Sequence, residues 1–390
     1  MYLTKAEERI LNGEEGETKE LAMKLLVAIG DVYGAPKMIQ ASSAQISGVS
    51  YKTIGEPGLG FLRDMSSGGA VAAIRAMLNP AGMDLDRWKQ LNIPARFAEK
   101  QLEIMQCFRK MKIEPTCTCI PYYDENAPPK GEHIAWAESS AVVFANSVLD
   151  ARTNREGGPT ALASSILGLT PLYGMHVLEH RKPTHLIKLT CKMNNDLDYA
   201  LLGYWIGRNL GASLPRISDI SHATSQDTLK GLCASMAASG SISMFLMGGG
   251  GSDEGTERIS VGRDELVETE RFLSSDKSFE HVALGCPHLS LKELKLVASL
   301  VSGRKATKRL WCFTSRHVRD LAQRQGYVDL IEQAGGEVVC DTCIVVSPMA
   351  DSGIDGVVTN SCKAAHYLRS LNQVETRLMD LQECVEYAVS

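Results

Sequence analysis

Cysteines at short spacings are the residues of this chain best suited to chemistry. The run from Glu337 to Met349 is apolar and strand-like, with Val338, Val339, Ile344, Val345 and Val346, and it carries Cys340 and Cys343 before stopping at Pro348. Thiolate is the usual ligand for zinc and iron-sulfur clusters, although free cysteine is also among the most buried residue types and fills cores. A second pair, Cys117 and Cys119, lies within Ile113 to Tyr123 between Pro115 and Pro121. Side chains alternate along a strand, so the pair shares a face and reads as a chelate, as a ligand with a spare neighbour, or as plain half-buried strand. Cys286 stands alone, after a strand at Val282 to Leu284 and ahead of a helix whose start is marked by Ser290 and Glu293. A helix N-terminus favours thiolate over thiol, the form a metal requires.

Several polar groups could receive an anion. A helix expected over His133 to Leu149 puts Glu138, Ser139 and Asn146 along one side. The loop from Asp150 to Pro159 holds Arg152, Asn154 and Arg155 beside Gly157 and Gly158. A guanidinium fork matches carboxylate and phosphate, so this loop reads as anion recognition in preference to a salt-bridged connection. Thr359 to Lys363 turns from a strand at Val357-Val358 into a helix. Ser66-Ser67-Gly68-Gly69 precedes an expected helix from Ala70 to Leu78, whose first amides would suit an anion. The Gly248 to Gly251 run fits neither the dinucleotide nor the P-loop signature and reads as a tight connection.

The scaffold around these groups reads as α/β. Thr4 and Glu7 make a capping box for a first helix, and Leu21, Leu25 and Ile29 mark the buried stripe of a second. From Thr184 strands and helices alternate, which predicts parallel sheets whose ligands bind beyond the carboxyl ends of the strands. A chain of 390 residues supports two or three domains, or one large multilayered unit. Boundaries are soft, with one expected near 300–310. A hydrophobic share of 44% and a net charge of -5 fit a small-molecule enzyme better than a nucleic-acid binder. Eleven cysteines fit a reducing compartment better than a disulfide framework. The N-terminus lacks the apolar core of a signal peptide and no apolar run reaches the roughly 18 residues of a spanning helix, so a cytoplasmic protein is expected.

Taken together, Gly285-Cys286-Pro287-His288, Asp341-Thr342-Cys343, Thr359-Asn360-Ser361, Trp136-Ala137-Glu138-Ser139-Ser140 through Asn146-Ser147, and Ala151-Arg152-Thr153-Asn154-Arg155-Glu156-Gly157 resemble the aconitase X branch of the aconitase superfamily. The resemblance runs along nearly the whole chain. It implies three α/β domains packed around an iron-sulfur cluster, 4Fe-4S or of lower nuclearity, that acts as a Lewis acid. It implies a separate small subunit carrying the swivelling domain, in a heterodimer. It also implies a hydro-lyase that removes water from (R)-mevalonate 5-phosphate to give trans-anhydromevalonate 5-phosphate in the archaeal mevalonate route to isoprenoids; the alternative activity of the branch is dehydration of cis-3-hydroxy-L-proline. The proton-abstracting base is a serine expected on the small subunit, so this chain is expected to be inactive alone.

The same resemblance implies Cys119, Cys286 and Cys343 as cluster ligands, Cys119 lying in a Cys-x-Pro-Tyr segment. Aconitase itself maps instead onto Cys286, Cys340 and Cys343. Residues three apart on a strand face opposite sides, so Cys340 and Cys343 converge only if the chain turns between them. Carried over as substrate contacts are Ser139, Asn146, Asn154, Arg155, Thr359, Asn360, Ser361 and Lys363, with Arg155 or Lys363 on the carboxylate or phosphate. A competing arrangement is a closed structural zinc site of Cys117, Cys119, Cys340 and Cys343.

Overall fold

A computed structural model describes residues 1–123, 127–249, 255–351 and 353–390. Among the described residues, strands fall in chain order at Met38–Gln40 (β1), Ser43–Ile46 (β2), Arg75–Leu78 (β3), Ala135–Trp136 (β4), Leu169–Pro171 (β5), His185–Leu189 (β6), Pro215–Ile217 (β7), Leu246–Met247 (β8), Glu257–Val261 (β9), His281–Leu289 (β10), Arg309–Thr314 (β11), Glu337–Cys340 (β12), Gly356–Thr359 (β13) and Glu375–Leu378 (β14). They form three parallel sheets, ordered β3-β2-β4, β8-β7-β6-β9 and β12-β11-β10-β13-β14, plus the antiparallel pair β1-β5. Helices cover the sheets, as parallel connections require. The mixed α/β architecture expected from the sequence is present.

Each sheet has its own core. Met23, Leu26, Leu59, Leu62 and Phe108 pack on the first, Leu202, Leu232, Met236 and Phe245 on the second, and Leu284, Leu294, Val297 and Val338 on the third. In the second, the helices Asp196–Leu210 and Gln226–Gly240 lie backbone to backbone, since a Cβ on Gly240 would stand 2.0 Å from the Gly207 carbonyl. The anticipated soft boundary at 300–310 falls inside the third sheet, on the connection from the helix Leu291–Val301 to β11.

Three local expectations differ. The second helix, Glu17–Val32, buries Ala22, Met23, Leu26 and Gly30, one position round from the expected stripe, and Leu21 is exposed. Residues 66–67 end the helix Tyr51–Ser67, and the expected helix over Ala70 to Leu78 contains β3, so no helix N-terminus awaits an anion there. Pairing with β2 overrides the local preference of that short stretch. Gly250 and Gly251 of the glycine run lie outside the described residues. Among the described residues no helix is long and apolar enough to cross a membrane.

Candidate metal centre and substrate cavity

The carboxyl ends of the first and third sheets face each other, and the groups singled out by type and spacing gather where they meet. From the first sheet come Asn79, just past β3, Glu138, just past β4, and Cys119 in the segment tied to β3 by the Thr118 amide on the Leu78 carbonyl. From the third come Cys286, Cys343 beyond β12, and Lys363 beyond β13. They line a cavity of about 230 Å³.

Cys286 sits in a bulge of β10, where the register with β11 slips between Leu284 and Leu289. Gly285 makes the bulge possible: its φ is +104°, and a Cβ there would meet the Phe313 carbonyl oxygen at 2.1 Å. The helix that follows, Leu291–Val301, is capped by Ser290, so Cys286 is not at a helix N-terminus. Its thiol instead donates to Cys343, which together with burial raises the Cys286 pKa. The Cys343 sulfur, receiving that bond and backbone N–H bonds from Val345 and Val346, falls to about 7 despite burial. Burial, Glu138 and Cys343 together push Cys119 up to about 12. The three thiols therefore lie within electrostatic reach of one another, and Cys343 is the most readily deprotonated.

Cys340 and Cys117 lie elsewhere. The chain does turn after β12, at Asp341 with φ +63°, yet the turn does not bring Cys340 to Cys343. The Cys340 amide is held by Asp84 Oδ2 at 3.0 Å, and its thiol faces Asp341 and Arg316. Cys117 has φ +45°, which breaks the strand alternation, and its thiol also faces Asp341 while Cys119 faces Glu138. Residues 341–347 leave the sheet, so the run from Glu337 to Met349 is strand only as far as Cys340. The four-thiol zinc arrangement is not assembled. Among the described residues no three His, Cys, Asp or Glu side chains are grouped to hold a single ion. Cys119, Cys286 and Cys343 open on one shared cavity, and three thiols are a donor set that an iron-sulfur centre can use.

Electrostatics on the cavity wall are set by an ion pair. Lys363 Nζ donates to Glu138 Oε1, and both side chains are buried. Burial alone would raise the Glu138 pKa, but Lys363, Asn79 and Ser140 outweigh it and hold the carboxyl at about 2. Lys363 is raised in turn: Glu138 overcomes the desolvation that would lower it. Asn79 Nδ2 donates to Glu138 Oε2 at 2.6 Å. Glu138 also caps the helix Ser139–Ser147, which is shorter than the one expected from His133.

The family models described as Aconitase X first, second and third domain match residues 1–179, 183–271 and 279–390. The chain belongs to the aconitase X family. It is 46% identical over 401 residues to the phosphomevalonate dehydratase large subunit of Methanocaldococcus jannaschii, covering 99% of this chain and 100% of that one. The large subunit from Thermococcus kodakarensis is 42% identical over 397 residues, with 100% of both chains covered. The cis-3-hydroxy-L-proline dehydratase of Pseudomonas aeruginosa is 32% identical across 98% of this chain, which spans 69% of that longer protein. The crystal structure of Thermococcus kodakaraensis aconitase X in its holo-form matches with a TM-score of 0.93 and 42% identity, covering 100% of each chain.

In this aconitase X chain the residues carried over as substrate contacts divide into two groups. Ser139, Arg155 and Lys363 line the cavity. Asn146 does not: it is fully buried, its amide donates to the Thr153 and Ser243 carbonyls, and its oxygen accepts from Thr153 N and Arg181. Asn154 is likewise spent on the 173–175 loop, donating to the Tyr173 carbonyl at 3.1 Å and accepting from Met175 N at 2.8 Å. Ser361 caps the helix Cys362–Leu371 and donates to the Cys286 carbonyl, and Thr359 accepts from Ser361 N, so both shape the cysteine turn. Asn360 lines a smaller cavity beside Lys230, on the other side of Cys286, which borders both. Reading the sequence missed Asn79, whose partner lies 59 residues away, and underrated Glu138. A buried acidic residue in a small, apolar stretch was the available signal for Glu138.

Proposed function

We propose that this chain is the large subunit of a phosphomevalonate dehydratase, a hydro-lyase that converts (R)-mevalonate 5-phosphate to trans-anhydromevalonate 5-phosphate in a reducing, cytoplasmic setting. The observation that carries the reading is the convergence of Cys119, Cys286 and Cys343 with the Lys363–Glu138 pair on one cavity. Full-length relatives that bear this name support it. Cys119, Cys286 and Cys343 would hold an iron-sulfur cluster, which when bound supplies a Lewis acid for the departing hydroxyl.

The chain's own residues bind and orient. Glu138 keeps Lys363 charged in a buried wall, so its remaining N–H donors suit a substrate carboxylate. Arg155 stands exposed on the cavity wall, with one guanidinium nitrogen on the Ala237 carbonyl at 3.3 Å, and its fork suits the phosphate. The Ser139 hydroxyl lies beside both members of the ion pair. A small subunit closing over the mouth would exclude water and deliver the serine base, forming a heterodimer.

The test is an anaerobic assay of this chain with its small subunit on (R)-mevalonate 5-phosphate and on cis-3-hydroxy-L-proline, with iron and sulfide measured on the same preparation. Turnover of the phosphorylated substrate by the complex, and none by either chain alone, is the expected result. Turnover of the proline alone, or full activity of an iron-free complex, would sink the proposal.

A further inference from the structure

His288 touches all three cysteine segments. It lies two residues beyond Cys286, and its own amide donates to Cys119 Sγ at 3.2 Å. One ring nitrogen, Nε2, is 2.8 Å from the carbonyl oxygen of Thr342, the neighbour of Cys343. The other, Nδ1, is 3.2 Å from the hydroxyl of Thr118, the neighbour of Cys119. A carbonyl can only accept, so Nε2 carries the proton and Nδ1 accepts from Thr118. The Thr118 hydroxyl in turn accepts from the Ile120 amide at 3.2 Å, which leaves its proton for the histidine. The residue is fully buried, so no water competes for these bonds.

The histidine is itself fixed from outside. Its carbonyl accepts from Lys230 Nζ at 3.0 Å, and Lys230, buried in the second turn of the helix Gln226–Gly240, is paired with Glu293. One turn earlier on that helix, Asp227 accepts from the Tyr123 hydroxyl at 2.6 Å, four residues beyond Cys119. The second domain thus reaches the cysteine segments without contributing a cysteine of the set.

We infer that His288 is a positioning residue: its amide and two ring nitrogens set the mutual placement of the Cys119, Cys286 and Cys343 segments. As a role toward the cluster, this rests on the ligand assignment under the proposed function. Outer hydrogen bonds of this kind orient ligands and are worth roughly 10- to 100-fold in metal retention.

Asparagine places its oxygen near the Nδ1 position and glutamine its nitrogen near Nε2, so the two ties can be cut separately. In the iron-free full chain, mass-mapped anaerobic alkylation should label Cys119 faster in His288→Gln, which loses the Thr118 bond. It should label Cys343 faster in His288→Asn, which loses the Thr342 bond. After reconstitution with iron and sulfide, His288→Ala should retain iron at least about 10-fold less tightly than the unaltered chain, with an altered paramagnetic signature, and the Gln and Asn variants should fall between. General loosening of the fold would speed both cysteines equally in both variants, and that result overturns the inference. So does unaltered iron retention in His288→Ala when Cys119→Ser, Cys286→Ser and Cys343→Ser each lose it. If those three serine variants keep their iron, the ligand assignment fails, and the labelling pattern alone still decides whether His288 joins the segments.

Discussion

Lys363 and Glu138 pair across two domains: the carboxylate follows β4 of the first sheet, and the ammonium follows β13 of the third. The pair closes the inner wall of the cavity, with the side chains only 10% and 9% exposed. Removing one partner leaves a buried charge uncompensated, which typically costs about 3–5 kcal/mol, whereas removing both can be nearly neutral. Lys363→Met should therefore lower unfolding stability by about that amount, and adding Glu138→Gln should recover much of it. Denaturant unfolding of the two single variants and the double variant measures this. Additive losses would mean that the two groups are independent.

Cys343 and Cys340 should behave oppositely. Cys343→Ser removes the sulfur that receives the Cys286 bond and opens on the cavity. Cys340→Ser alters a thiol that faces Asp341 and Arg316. Iron and sulfide analysis after anaerobic reconstitution should show near-complete loss in the first and almost none in the second. Equal loss in both would restore the aconitase-like ligand set of Cys286, Cys340 and Cys343.

What could be read in the sequence was what is local. The Thr359 to Lys363 turn lies where β13 gives way to a helix, and such positions announce themselves through caps and alternation, whereas the bulge that carries Cys286 inside β10 does not. The expectation that Cys117 and Cys119 share a face fails because the left-handed backbone at Cys117 turns one thiol away from the other, and no residue type there signals it. The Asp84 carboxylate holding the Cys340 amide joins positions 256 apart, and Lys363 finds Glu138 across 225. Asn146 and Asn154 have the right chemistry for a substrate but spend it on their own backbone surroundings, which only coordinates can show.

His176 should govern part of the acid limb of stability. It is buried, its Nδ1 is 3.0 Å from that of His133, and Arg181 and Arg152 lie near. Burial, then His133 and the arginines, lower its pKa to about 3. A histidine depressed in the folded state stays neutral there while the unfolded chain takes up a proton below about 6.5. Its contribution is thus intact above that pH and is lost as pH falls toward 3, by up to about 1.4 kcal/mol per pH unit. His133 is shifted in the same direction. Denaturant unfolding between pH 7 and 4 should show a shallower decline in His176→Gln. Parallel curves would assign the acid limb to other groups.

Arg155 provides the sharpest test of substrate charge. It is exposed beside the cavity and donates to the Ala237 carbonyl, so replacing it should leave the fold intact. A charge-assisted bond to phosphate is worth about 1.5–3 kcal/mol, or roughly a 10- to 150-fold change at about 1.4 kcal/mol per decade. Arg155→Ala in the two-subunit complex should raise KM for (R)-mevalonate 5-phosphate by that factor, with kcat and thermal midpoint little changed. Arg155→Lys keeps the charge but not the planar fork, and should recover only part of the loss. An unchanged KM in both variants would move the phosphate to Lys363 and leave Arg155 without a role in binding.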